Sequence, residues 1–188
     1  SMSDPDVYAW DLLSIILGSG ETSRLVHAVK DRKGLVDSVY ASSYTPRDPG
    51  LLFVGGVLSP EKTKDALREI LFETFRAAAE PPEGPELARA KTGTETDFTY
   101  SLESQSALAR LVGFYETTLN DAAFEQTYLR KIRAVTAEDV HAAARKYLTP
   151  ENLTVSMVFP TGHRAVADPE EVRRIAREAY AAATAPAK

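Results

Sequence analysis

Histidines, carboxylates and serine hydroxyls are the groups from which a hydrolytic centre is usually built, and this chain spaces them poorly for that purpose. Its three histidines, His27, His141 and His163, lie far apart in sequence. A helical transition-metal site needs two imidazoles one turn apart, as in H-E-x-x-H, so that both reach one ion. There is no cysteine, which excludes disulfides and thiolate metal ligands. Carboxylates are plentiful, but none follow the spacing of a calcium loop. His27 and His141 therefore read as helix-face residues and His163 as a loop residue. Ser23 and His27 stand at i and i+4, yet neither a third triad member nor an oxyanion site is evident. No catalytic residue and no metal ligand is assigned within the chain.

Two further groups are candidates for binding. Gly18-Ser19-Gly20 runs into a helix start, where free amides can receive an anion. It lacks the length and the lysine of a phosphate loop, so a turn between helices is the main reading and a ligand contact the alternative. Arg24, Lys30, Arg32 and Lys33 cluster in and after the second helix. Such runs are usually solvated faces, and spacing leaves open whether Arg24 turns inward.

The scaffold for these residues must come from one core, which 188 residues are long enough to build. Net charge is -5, which argues against a general nucleic-acid or anionic-membrane surface. No stretch approaches the ~18 apolar residues of a membrane span. Ser1-Met2 reads as a tag remnant heading an excised segment, so a signal peptide would lie outside the chain. Periplasm and cytoplasm both stay open as compartments.

Periodicity predicts a helix over residues 4–17, stopped by Gly18-Ser19-Gly20, then a second from Thr22 or Ser23 toward Lys30. The period then falls to two. Val39, Ala41 and Ser43 oppose Tyr40, Ser42 and Tyr44 as a partly exposed strand. A turn at residues 46–50 leads to Leu51–Leu58, expected to be a more buried antiparallel partner. Ser59-Pro60 starts a third helix with a stripe through Ala66, Leu67, Ile70, Leu71 and Phe75. Helical signal resumes at residues 86–91 and weakens over 92–100, where a weak strand is an alternative. Helices follow over residues 102–115, around Phe124–Leu129, and from Thr136, whose hydroxyl stands three residues before Asp139 as a capping box. Leu153–Phe159 is expected as a final, central or semi-central strand, and residues 168–183 as a closing helix. The fold class is α+β, helices packed on a mainly antiparallel sheet, with an edge that a leading strand would cover. Residues 3–165 form the domain, and 166–188 its last helix and frayed tail.

Several of these segments, taken in order, carry a resemblance. Residues 11–25 (DLLSIILGSGETSRL) resemble the start of the C-terminal-type domain in the pitrilysin/insulinase family of zinc metallopeptidases. That family includes mitochondrial processing peptidase and inactive relatives. Gly34–Val39, Asp48–Phe53, the Glu86-Leu87-Ala88-Arg89-Ala90-Lys91 helix, Ile132–Val140 with Ala144–Leu148, and Asn152–Val155 resemble its later segments in sequence order.

The resemblance implies a LuxS/processing-peptidase-like half-domain that faces a homologous half across a chamber. Zinc is implied only in the N-terminal-type half or partner, on an inverted H-x-x-E-H motif, with no cofactor in this chain. The C-terminal-type half is implied to supply chamber wall, contact an extended peptide substrate and reach across with an arginine and a tyrosine. Those positions fall on Lys30 and Asp37. Lysine keeps the charge but loses the planar fork, and an ionised aspartate would repel a developing oxyanion. An exposed Lys30–Asp37 ion pair is the local alternative. Under a shifted register Arg32 or Tyr40 takes a role, and Arg24 is a weaker candidate. The implied function is a non-catalytic half of a zinc metalloendopeptidase-like protein. Its alternatives are an inactive subunit beside a separate active peptidase, or a peptide-binding module using the Leu51–Leu58 edge. A homo-oligomer stays open; nucleic acid does not.

Overall fold

The computed structural model describes residues 1–162 and 167–186; His163 lies outside them. Helix α1 (Val7–Gly18) begins after a turn in which the Asp4 carboxylate accepts the Asp6 N–H at 2.9 Å. It ends at Ser19, and Gly20 follows at φ +79°, a conformation that glycine adopts without a Cβ penalty. The second helix is as expected in position but not in type. From Val26 to Arg32 it is a π-helix, a rare form frequently found at functional sites.

Strands β1 (Ser38–Tyr44) and β2 (Leu51–Val57) pair antiparallel, with Ser38 opposite Val57 and Tyr44 opposite Leu51. Val39 and Ala41 face inward under α1, as their alternation predicts. The expectation that β2 is the more buried strand fails. Leu51, Phe53 and Val57 are exposed, because helices cover only one face of the hairpin.

Helix α2 (Thr63–Ala79) follows a short 3-10 turn at Pro60–Lys62, and α3 (Gly84–Ser101) follows Pro81-Pro82. The weak-strand alternative for residues 92–100 is wrong. Thr94 and Thr99 return their hydroxyls to the carbonyls of Ala90 and Glu95, four residues back, so the threonines are satisfied within the helix. Then come α4 (Gln105–Leu119), α5 (Phe124–Ala134), α6 (Ala137–Tyr147) and α7 (Pro169–Ala183). The capping box at Thr136 and Asp139 forms as its spacing predicts.

The third expected strand is not in the sheet, which has two strands among the described residues. Leu153, Val155, Met157 and Phe159 are half-buried while Thr154, Ser156 and Val158 are exposed, so the alternation is real. A ladder needs a neighbour at ~4.8 Å as well as an alternating sequence, and this segment pairs with neither strand. The architecture is a mostly helical α+β domain with a small antiparallel sheet.

Leu12, Leu13 and Leu17 of α1 are fully buried together with Leu25, Val29, Ile132, Val140 and Ile175. Helix α7 closes the core along α2, with Phe75 and Tyr180 edge to face at 5.2 Å. A smaller cluster joins Met2, Val7, Tyr115 and Phe124. Met2, read above as part of a remnant, is thus buried, and its N–H bonds the Pro46 carbonyl at 2.8 Å.

Candidate functional site

The turn of chain from Val26 to Tyr40 carries most of the candidate residues, and the π-helix that begins it packs against β1. Lys30 is exposed on that helix, and Arg32 is exposed at its last position. Gly34, at φ +59°, turns the chain back, with its N–H on the Lys30 carbonyl at 2.9 Å. Lys62 caps the same turn by donating to the Gly34 carbonyl at 2.8 Å. Asp37 follows, exposed, with its N–H on the Val57 carbonyl at 2.8 Å.

Asp37 therefore stands at the start of β1, Lys30 stays on the preceding π-helix, and both are exposed. Among the described residues no ion pair joins them. Tyr40 is three residues beyond Asp37, so strand alternation turns it to the opposite face of the hairpin. It is half-exposed there, and its ring lies across Gly55, where an added Cβ would come within 2.7 Å of the hydroxyl.

Arg24 turns inward. Its Nε and Nη2 donate to the two Glu86 carboxylate oxygens at 2.8 and 2.7 Å, and the side chains are 10% and 17% exposed. This bidentate pair fastens the second helix to α3 and leaves Arg24 no free fork for a ligand. Gly18-Ser19-Gly20 is a turn. The Gly20 carbonyl accepts the Ser23 hydroxyl at 2.8 Å, and Gly18 lies hard against the β1 main chain. The histidines do not converge: His27 is exposed, and His141 bonds the Ala78 carbonyl through Nε2 at 3.0 Å. Among the described residues no group of three or more His, Asp or Glu side chains is placed to hold a metal ion, so the residues present do not fit zinc.

Two features escape a reading of the sequence. Asp11 of α1 accepts hydrogen bonds from the Ser43 and Tyr128 hydroxyls, the latter at 2.7 Å, and so links α1, β1 and α5. Burial raises its pKa above its ordinary value, against the lowering effect of the Ser43 and Tyr128 bonds. A carboxyl with a raised folded-state pKa binds its proton more tightly folded than unfolded. Its contribution to stability is full below the unfolded value of about 3.9 and is lost as pH rises through the folded pKa. Asp6 has the opposite sign, since its bond from Lys146 lowers its pKa. The expected result is thus a difference: unfolding free energy of the native chain minus that of Asp11→Asn falls as pH rises through that window. Urea titrations across pH 3–8 measure it, and a flat difference refutes it.

The second feature is the outer face of the hairpin. Tyr40, Tyr44, Leu51, Phe53 and Val57 share it and are each 47–63% exposed. The sequence contained this signal, since neither strand carries a charged residue, but lack of charge there reads first as burial.

Residues 1–94 match the family described as Peptidase M16 inactive domain. An uncharacterized zinc protease of Streptomyces coelicolor shares 30% identity over 146 residues, 78% of this chain and 32% of the relative. The chain thus spans about a third of the length of that relative. Among solved structures, the inactive peptidase domain of a proposed zinc protease from Bordetella parapertussis superposes with a TM-score of 0.78 at 25% identity. It covers 86% of this chain and 87% of its own. A proposed zinc protease structure from Bordetella pertussis Tohama I gives 0.74 at 26% identity, over 85% and 87% of the two chains.

Proposed function

The chain belongs to the peptidase M16 inactive-domain family, and from that premise we propose that it is the non-catalytic half of a zinc-endopeptidase-like protein. In this reading it forms the wall of a chamber opposite a zinc-bearing half and touches an extended peptide held between the two. The observation that carries the reading is the two-sidedness of the hairpin. α1 packs behind β1, while the opposite face of the same strands is open. A wall needs that arrangement: a rigid helical backing and a free inner surface.

In this reading Asp37, at the Ser38–Val57 end of the hairpin, and Lys30, on the helix before it, are the candidates to meet a substrate backbone. Lys30 offers a single charged donor to a peptide carbonyl, without the paired geometry of a guanidinium. Asp37 has no proton to give when ionised, so neither position supplies the two-donor clamp that stabilises an oxyanion. Their work is substrate holding, and the chemistry belongs to the other half. The residues 3–165 then form the body of the wall, and the segment beyond them its closing helix.

The test uses the purified chain. Metal analysis should find no stoichiometric zinc, and an unstructured reporter peptide should stay intact. One zinc per chain retained through dialysis, together with cleavage, overturns the proposal. The substitution of both positions favours a second reading, an inactive subunit that assembles with a separate active peptidase. Co-purification from the native cell should then recover a zinc-bearing homologue as a distinct polypeptide.

A further inference from the structure

The open face of the hairpin has a chemistry of its own. Across Ser38–Tyr44 and Leu51–Val57 there is no lysine, arginine, aspartate, glutamate or proline. Exposed two-stranded edges normally carry such residues, because they block pairing with stray chains. Here the outward positions are instead Tyr40, Tyr44, Leu51, Phe53 and Val57. About half of five such side chains is on the order of 500 Å2 of mostly apolar surface, at the upper end of what a monomer leaves exposed.

That size helps choose the occupant. A stable dimer removes roughly 800 Å2 from each partner, so the patch is small for a second copy of this chain. An extended peptide needs less. It presents every second side chain to one side, at a repeat of about 6.8 Å, matching the repeat of outward positions along each strand. Lack of charge on the face removes any partner for a charged side chain, whose desolvation would go uncompensated.

We infer that this face selects extended polypeptide segments that carry aromatic or large aliphatic residues at alternating positions. The inference deepens the wall reading above and rests on it. Tyr44 and Leu51, directly opposite one another, form one contact, and Phe53 with the Tyr40 ring over Gly55 forms the next. Asp37 lies just beyond the Ser38–Val57 end, with its N–H on the Val57 carbonyl.

The probe is a nine-residue peptide alternating phenylalanine or leucine with threonine. Its control has the same length with aspartate and lysine at the apolar positions. Titration of the full chain, followed by amide NMR shifts, should show saturable binding of the first, at least tenfold tighter than the second. Phe53→Ser and Tyr44→Ser together should weaken the first peptide at least tenfold without moving the urea midpoint. Leu108→Ser, on a separate exposed patch of α4, should leave it unchanged. Equal binding of the two peptides, or unaltered binding by the double variant, overturns the selectivity. A concentration-dependent dimer in sedimentation, abolished by Phe53→Ser, overturns the peptide occupant in favour of a second copy. None of these results alters the metal and cleavage measurements, so the wall reading fails or stands separately.

Discussion

Gly18→Ala should destabilise the domain by at least about 2 kcal/mol, although alanine is the better helix former. Gly18 is the last residue of α1, and there the helix crosses β1 with no side chain between them. A Cβ built on it would lie 1.9 Å from the Ala41 nitrogen and 2.6 Å from both the Ala41 Cβ and the Tyr40 carbonyl carbon. The nearest obstacle is main chain, so no rotamer change relieves the clash and either the helix or the strand must move. Alanine returns about 1 kcal/mol of helix propensity. Overpacking of a tight contact costs ~1–3 kcal/mol, and more when backbone has to shift. The collision wins, and the melting point should drop by roughly 5 °C or more for a domain of this size. Urea unfolding measures it; an unchanged or raised midpoint would show that the close approach is not needed. Gly20→Ala is a useful comparison, since its φ of +79° strains an L-residue but nothing stands within 4 Å of an added Cβ. Its cost should be about 1 kcal/mol, from backbone strain alone.

Glu86→Ala should cost about 3 kcal/mol. The substitution takes the bidentate partner from Arg24, whose side chain is 10% exposed in the intact pair. Removing one member of a buried pair costs ~3–5 kcal/mol, chiefly the penalty of the orphaned charge, and the residual exposure here argues for the lower end. Burial alone would lower the pKa of Arg24, yet the Glu86 hydrogen bonds and charge carry it upward, so the pair more than offsets the desolvation of the guanidinium. The capping box at the start of α3 is lost as well, because the Glu86 carboxylate also accepts the Glu83 N–H at 3.3 Å. The double variant Arg24→Met with Glu86→Leu separates the causes. It should recover most of the loss, since an apolar pair of similar volume needs no partner charge. A double variant as unstable as Glu86→Ala would mean that the pair itself or the lost cap, and not the orphaned charge, carries the stability.

These two sites mark the limit of what a linear reading reaches. Gly18-Ser19-Gly20 is legible as a stop between helices, and the stop is where it should be. That Gly18 is also a contact point depends on β1 arriving beneath it, from more than twenty residues further along the chain. Arg24 and Glu86 are 62 residues apart, and nothing in the spacing of the cations separates Arg24, turned inward, from Lys30 in solvent. Asp11, Ser43 and Tyr128 meet for the same reason, each on a different element.

What the sequence determined by itself was local: α1 and its stop, the hairpin and its register parity, the cap of α6, and the segments that resemble one family in order. Each rests on interactions among residues a few positions apart, where propensity, capping and periodicity act. Tertiary structure decided which alternating segment became a strand. Leu153–Phe159 has the pattern but no neighbour to bond, while Leu51–Val57 has a neighbour and still keeps one face bare. An apolar alternation states that a surface wants covering. Whether a helix of this chain covers it, or it stays open to a bound polypeptide, is settled only by where the other elements pack.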